Sequence, residues 1–189
     1  MIDAQRRARG PGDRHGSVLH RLAHHFQDIP WKLGQFVEKE NAWSVQEGGD
    51  QLLHGAAPNL PDAYNKAIHG TEIGEGVGSC GTAAHRGEAV VVSNIADDPL
   101  WDDFRDLALQ HNLHACWSTP ILDTRGRVLG TFALYYPEPK EPTALHQHLV
   151  GIMTRTAAIA IERHRAEQKL RDWNETLEQR VVQRTIEQE

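Results

Sequence analysis

Residues 73–87 read IGEGVGSCGTAAHRG, and this glycine-rich segment is the most informative stretch of the chain. A short helix is predicted to follow its first glycines and to end at Gly87, because glycine is common just after a helix C-terminus. The free N–H groups at a helix start can bind anions or carbonyl oxygens, and Ser79 and Thr82 would add hydroxyls. The segment matches neither a phosphate-binding loop nor a dinucleotide fingerprint. The alternative is structural: the glycines let a loop cross a sheet closely, and Ser79 only caps the helix.

The sequence on both sides of this segment predicts an α+β domain. Apolar alternation between turn residues predicts strands at 31–37, 42–45, 52–54, 89–93, 115–122 and 128–136. Apolar residues at 3–4 spacing, with capping and proline signals, predict helices at 17–29, 62–68 and 101–111. The last two strands are joined by a hairpin loop that ends in Gly126.

Composition limits the class of protein. A chain of 189 residues corresponds to one domain with an appendage, and residues 1–16 are predicted to be a disordered leader. The net charge of −6 argues against a nucleic-acid partner, and no apolar run is long enough to predict a membrane span. Two cysteines cannot form a disulfide scaffold, so a cytoplasmic location is expected.

The C-terminal segment 143–189 is predicted to be one helix of about 45 residues. The part before Arg163 should pack on the sheet. Beyond it, Leu170 and Leu177 fit the d positions of a heptad, with Asn174 and Val181 at a. This pattern predicts a homodimeric coiled coil, and the alternative is a solvated helix that frays.

Several side chains could carry chemistry. Cys80 lies in the first turn of a predicted helix, where the dipole lowers a thiol pKa, and Cys116 begins an apolar strand. Trp101, Phe104 and Trp117 could line a pocket. Each of these residues could equally be plain core. The histidines form no cluster with Cys or Asp at metal-ligand spacing, so no protein-only metal site is expected, while haem held by a histidine stays an open alternative.

Residues 78–101 and 115–135 resemble a GAF domain of the kind found in bacterial sensor histidine kinases and cyclic-dinucleotide signalling proteins. The resemblance covers 17–165, and 166–189 is similar to the signalling helix that such proteins place before a kinase or another sensor domain. It implies a central antiparallel sheet of five to six strands. The N- and C-terminal helices would lie on one face, and a loop-enclosed pocket on the other.

The resemblance also implies a function and a site. The chain would be a non-enzymatic sensory module, expected to be a fragment of a histidine kinase, that binds an unidentified small molecule. It would act as a homodimer on a downstream kinase or effector domain, without nucleic-acid or membrane partners. The expected ligand-binding residues are the donors Ser79, Cys80, Gly81 and Thr82, the lid residues Trp101 and Phe104, and the floor residues Cys116 and Trp117.

Two other functions are compatible with the sequence. Free methionine-(R)-sulfoxide reductase, a GAF protein, has a Gly-x-Cys-Gly motif that Cys80 matches. Its catalytic cysteine lies in a longer loop before a strand, whereas Cys116 lies inside a predicted strand, four residues before Pro120. The catalytic position is therefore missing, and the reductase is the runner-up. A ligand-free dimerisation scaffold is the third hypothesis.

Overall fold

The computed structural model describes residues 40–45, 49–57 and 60–186. The predicted leader, the helix at 17–29 and the strand at 31–37 lie outside the described residues. Within them the strands are β1 Glu40–Val45, β2 Gln51–Ala56, β3 Thr71–Glu72, β4 Val90–Val92, β5 Ala115–Leu122 and β6 Val128–Tyr136. The α-helices are α1 Asp62–Ile68, α2 Gly78–Arg86, α3 Arg105–Gln110 and α4 Ala144–Ile186, and a 3-10 turn spans Pro99–Trp101.

The strands form one antiparallel sheet in the order β3-β2-β1-β6-β5-β4, which confirms the predicted α+β fold. Strands β5 and β6 have the predicted bounds. The strand predicted at 42–45 begins two residues earlier, because Glu40 and Asn41 also pair with β6. The two-residue strand β3 was not predicted, since so short a strand shows no alternation.

The 3-10 turn replaces the first part of the helix predicted at 101–111. The Asp98 carboxylate accepts a hydrogen bond from Leu100 N–H at 2.9 Å, which caps this turn. The α-helix then begins only at Arg105. Trp101 therefore lies in a capped turn ahead of α3, where it is almost fully buried.

Two separate cores lie on the two faces of the sheet, because successive side chains of a strand point to opposite sides. Trp117 and Leu134 lie in the core that contacts α4. Their neighbours Cys116 and Tyr135 lie in the core that contacts α1, α2 and the 3-10 turn. The sheet therefore separates a helix face, covered by α4, from a cavity face.

Helix α4 has 43 residues and is about 65 Å long. It begins after Thr143, whose backbone N–H donates to His146 Nδ1 at 3.0 Å while its hydroxyl accepts from His146 N–H at 3.3 Å. Met153, Ala157 and Ile161 are buried against the sheet, whereas every residue described from Leu170 onward is exposed. None of the described helices is long and apolar enough to span a membrane.

Candidate ligand site

A cavity of about 30 Å³ lies on the cavity face, between α1, α2, the 3-10 turn and β6. This volume holds about two water molecules. Apolar side chains from β2 and α1 form part of the wall, and no charged side chain lines it among the described residues. The wall residues that carry polar side-chain atoms or large rings are Tyr64, Thr71, Ser79, Cys80, Trp101, Phe104 and Tyr135.

The start of α2 forms one wall of this cavity and explains two of its glycines. Gly78 has φ +54°, and a Cβ there would lie 3.6 Å from the Trp101 ring. A Cβ at Gly81 would lie 2.6 Å from Val77 Cβ, so any side chain at this position would clash. Gly78 is therefore favoured by its positive φ, and Gly81 by its closeness to Val77 one turn earlier; that the glycines let a loop cross the sheet closely stays a prediction.

The same helix start presents backbone donors to the cavity. The Gly81 N–H donates to Val77 O at 3.0 Å, which closes the first turn of α2. The N–H groups of Gly78, Ser79 and Cys80 precede that bond and have no intrahelical acceptor. All three residues line the cavity, so these amides are suited to meet an oxygen atom of a bound molecule.

The Ser79 hydroxyl is used within the protein. It donates to the Cys116 carbonyl oxygen at 3.1 Å and accepts from Trp101 Nε1 at 3.1 Å. In this arrangement the one proton of the hydroxyl is already given to β5, and its predicted role as a ligand donor stays a prediction. Ser79 fixes the start of α2 to the strand and holds the Trp101 ring in the cavity wall.

The two cysteines are neighbours with different environments. Cys80 lines the cavity, and its sulfur lies 3.8 Å from Tyr135 Oη. The adjacent Cys116 side chain lowers the pKa of Cys80 more than burial raises it, with further lowering from Ser118, Tyr135 and Thr131. Burial and then the Cys80 thiol raise the pKa of the fully buried Cys116. Of the two thiols, Cys80 therefore loses its proton first.

Two tyrosines extend this polar line across the cavity. The hydroxyls of Tyr64 and Tyr135 are 3.4 Å apart, and their rings meet edge to face with centroids at 5.9 Å. Burial raises the pKa of both phenols, so both are neutral donors. Neither tyrosine was among the predicted site residues. The only signal for Tyr135 was strand alternation, which places it on the same face of the sheet as Cys116.

The predicted site residues do not all meet. Ser79, Cys80, Trp101 and Phe104 line the cavity, while Gly81, Thr82 and Cys116 lie behind its wall in the same half of the domain. Trp117 lies on the helix face, where its ring packs on Tyr136 and His146 and its Nε1 donates to Lys140 O at 3.0 Å. The prediction that Cys116 and Trp117 share the pocket floor is wrong, because adjacent strand residues point to opposite faces.

The cavity has no feature of a metal or haem site. Within the described residues, no group of three His, Cys, Asp or Glu side chains comes together. No histidine lines the described part of the cavity wall, and its volume is far below that of a porphyrin. The site is instead suited to a small molecule with little charge.

Comparison with known proteins agrees with the fold. A family model described as GAF domain matches residues 16–162, and the chain therefore belongs to the GAF family. GAF domains of this kind are sensory modules of signalling proteins. The chain is 37% identical over 122 residues to the methyl sulfide methyltransferase-associated sensor of Methanosarcina acetivorans. The match covers 65% of this chain and spans 12% of the length of that sensor.

Solved structures show the same fold. A domain of a putative two-component sensor histidine kinase from Sinorhizobium meliloti is similar with a TM-score of 0.61 at 20% identity, over 87% of this chain and 99% of that one. A type II free methionine-R-sulfoxide reductase from Thermoplasma acidophilum is similar with a TM-score of 0.59 at 12% identity, over 81% and 96%. At these identities the likeness concerns the fold alone.

Proposed function

We propose that this GAF domain is a cytoplasmic sensory module that binds a small molecule in its cavity and relays occupancy through α4, paired with α4 of a second copy. One observation carries this proposal. Cys116 and Tyr135 face the cavity, while the next residue on each strand, Trp117 and Tyr136, packs beneath α4. A ligand that displaces β5 or β6 would therefore also displace the side chains packed beneath α4, because they belong to the next residue of the same strand.

The lining of the cavity defines the kind of ligand. It is mostly apolar and aromatic, and its polar groups include the Tyr64 and Tyr135 hydroxyls, the Cys80 thiol and the helix-start amides. These groups suit a small uncharged molecule with one oxygen function. Binding would order residues 74–80 and the Trp101 region and shift the population toward one packing of α4.

The outer face of α4 supports a dimer. Leu145, Ile152 and Ile159 are exposed at seven-residue spacing on the side away from the sheet. Leu170, Trp173 and Leu177 are more than half exposed further along. A seven-residue apolar repeat on a helix indicates a coiled coil, and a second copy of α4 presents the same repeat. The heptad register in which the two helices pair stays a prediction. The placement of Asn174 and Val181 at a positions is part of that prediction.

The output is proposed to be a kinase or another effector domain of a two-component system, with no nucleic-acid or membrane partner. The match to a sensor of which this chain spans 12% supports a module within a larger signalling protein. The net charge of −6 disfavours nucleic acid. The two free cysteines are typical of a reducing compartment.

The test uses the purified chain in native mass spectrometry, sedimentation and thermal-shift screening of small uncharged metabolites. A dimer with a discrete extra mass, or with a melting shift by one compound class, is expected. Val77→Phe, which fills the cavity from its wall, should abolish the shift, whereas Val91→Phe at an exposed strand position should not. A monomer would contradict the relay. A dimer that no compound shifts would favour the ligand-free scaffold.

A thiol-dependent reductase is the second candidate, because Cys80 and Cys116 are neighbours at the cavity. Such an enzyme needs a nucleophilic thiolate and a resolving thiol within reach. Turnover of free methionine sulfoxide with a dithiol reductant, lost in both Cys80→Ser and Cys116→Ser, would support the reductase. We expect no turnover, since Cys116 lies within a strand rather than in a loop.

A further inference from the structure

We propose that Cys80 and Cys116 form an oxidant-responsive pair, in which a small hydroperoxide that enters the cavity converts the two thiols to an intramolecular disulfide. The chemistry depends only on the cavity and the thiols. Its role in signalling rests on the proposed function.

The cavity gives one of the two thiols access to an oxidant. Cys80 is in the cavity wall, and the volume of about 30 Å³ corresponds to about two waters, which is the size of hydrogen peroxide. Cys116 is fully buried on β5 behind it and does not line the described cavity. A small oxidant would therefore meet Cys80 first, and Cys116 is placed to attack from behind.

Hydroxyl groups around Cys80 suit a thiolate better than a neutral thiol. Ser118 and Thr131 lie on the cavity-facing sides of β5 and β6, are almost fully buried, and have no hydrogen-bond partner among the described residues. Unpaired buried hydroxyls cost stability. Both are close enough to lower the pKa of Cys80, and the Tyr135 hydroxyl lies 3.8 Å from its sulfur. A negative sulfur would give these three donors an acceptor.

The reaction balances with a peroxide as the only oxidant. The Cys80 thiolate attacks one peroxide oxygen, the O–O bond breaks, and the released hydroxide takes up the proton that Cys80 lost, giving water. The Cys116 sulfur then attacks the sulfur of the Cys80 sulfenic acid. The S–O bond breaks, and the leaving hydroxyl takes the Cys116 proton as a second water. The two thiols lose two electrons and the peroxide gains them; a cellular dithiol would reverse the change.

The disulfide would alter the contact between α2 and β5. The Ser79 hydroxyl, one residue from Cys80, already donates to the Cys116 carbonyl and accepts from Trp101. Trp117, one residue from Cys116, packs on His146 near the start of α4. A covalent link between the thiols would therefore act on the cavity wall and on the base of α4 together.

The test treats the full chain with about one equivalent of hydrogen peroxide and measures intact mass, free thiols and a non-reduced peptide map. Wild type should lose both thiols and about 2 Da within one chain, with Cys80 and Cys116 in one linked peptide. Cys116→Ser should stop at a sulfenic acid that dimedone traps. Cys80→Ser should react at least about tenfold more slowly, because Cys116 is buried and less acidic.

Tyr135→Phe tests the environment of the thiol. It keeps both cysteines and the ring, so the pH midpoint of Cys80 alkylation should rise while the circular-dichroism spectrum stays that of the folded wild type; the melting temperature should fall modestly, because Tyr64 loses its acceptor. The proposal is overturned if wild type forms only links between chains, if it gains oxygen without a link, or if the two serine variants react at equal rates.

Hydrogen exchange of α4 separates this inference from the proposed function. A disulfide that forms without any change in α4 exchange would support the thiol pair and contradict the relay. A ligand that shifts α4 exchange in a chain whose thiols resist peroxide would support the relay and overturn the thiol pair.

Discussion

The two faces of the sheet share strands β5 and β6 but differ in chemistry. On the helix face, Trp117, Leu134 and Met153 pack as an ordinary apolar core. The cavity face carries thiols, two tyrosines and three buried hydroxyls, those of Thr82, Ser118 and Thr131, without hydrogen-bond partners among the described residues. Unpaired buried hydroxyls cost stability, so the cavity face is packed less favourably than the helix face.

The largest expected effect tests whether the helix face holds the domain together. Trp117→Ala removes a ring that is 5% exposed and packs on Tyr136 and His146. We expect the free energy of unfolding to fall by about 3–5 kcal/mol, measured by urea denaturation. Val91→Ala, at an exposed position of β4, should change it by less than about 0.5 kcal/mol. Equal losses in the two variants would contradict the view that the helix face holds the domain together.

Two serines on the cavity face provide the next test. Ser79→Ala leaves the Trp101 N–H and the Cys116 carbonyl without their partner, so we expect a loss of about 2 kcal/mol. Ser118→Ala removes a hydroxyl that has no partner among the described residues, so we expect a change of less than about 0.5 kcal/mol. The measurement compares the urea midpoints of the two variants, with the dependence of the free energy of unfolding on urea concentration unchanged. If Ser118→Ala were the more harmful, Ser118 would have an essential partner.

A smaller effect is expected at Thr131, which has an unpaired buried hydroxyl on β6. Thr131→Val has nearly the same shape and should be neutral or stabilising by up to about 1 kcal/mol. The same variant should raise the pH midpoint of Cys80 alkylation, because it removes a group that lowers the pKa of this thiol. A destabilised variant with an unchanged alkylation profile would show that Thr131 serves packing alone.

The smallest effect concerns the pH dependence of the helix face. Burial, and then Lys140, lower the pKa of His146 below its usual value of 6.5. The unfolded chain therefore binds the proton more readily, and this contribution to stability is lost as the pH falls below about 6.5. Urea midpoints at pH 7 and 5 should differ less in His146→Gln than in wild type, whereas exposed His148→Gln should keep the wild-type difference. An equal difference between the urea midpoints at pH 7 and 5 in all three proteins would contradict this contribution of His146 to stability.

The sequence predicted the fold well where patterns are long. Alternation gave the bounds of β5 and β6, and the expectation that the helix packs on the sheet before Arg163 is confirmed. The helix face was predicted wrongly, because the apolar residues at 3–4 spacing, Leu145, Ile152 and Ile159, are exposed, and Met153 and Ile161 contact the sheet instead. Strand β3 could not be predicted, because two residues carry no period. Pairing with β6 extends β1 over Glu40 and Asn41, and a local reading of polar residues cannot show such tertiary pairing.

The candidate site was only half predictable. The glycine-rich segment indicated the start of α2, and the family resemblance placed Trp101 and Phe104 near the cavity. Tyr64 was missed because the approach of α1 to β6 depends on long-range packing. The separation of Cys116 from Trp117 follows from strand alternation alone, and applying that rule to neighbouring residues would have removed Trp117 from the site.

The length of α4 turns a small tilt into a large movement. Only its first half is held by the sheet, and the 25 residues that follow Ile161, up to Ile186, extend about 38 Å beyond the last buried contact. A rigid rod of that length that tilts by about 5° at its base moves its tip by about 3 Å. In the proposed relay the domain would therefore act as a lever, with its fulcrum beside Trp117 and its long arm outside the core.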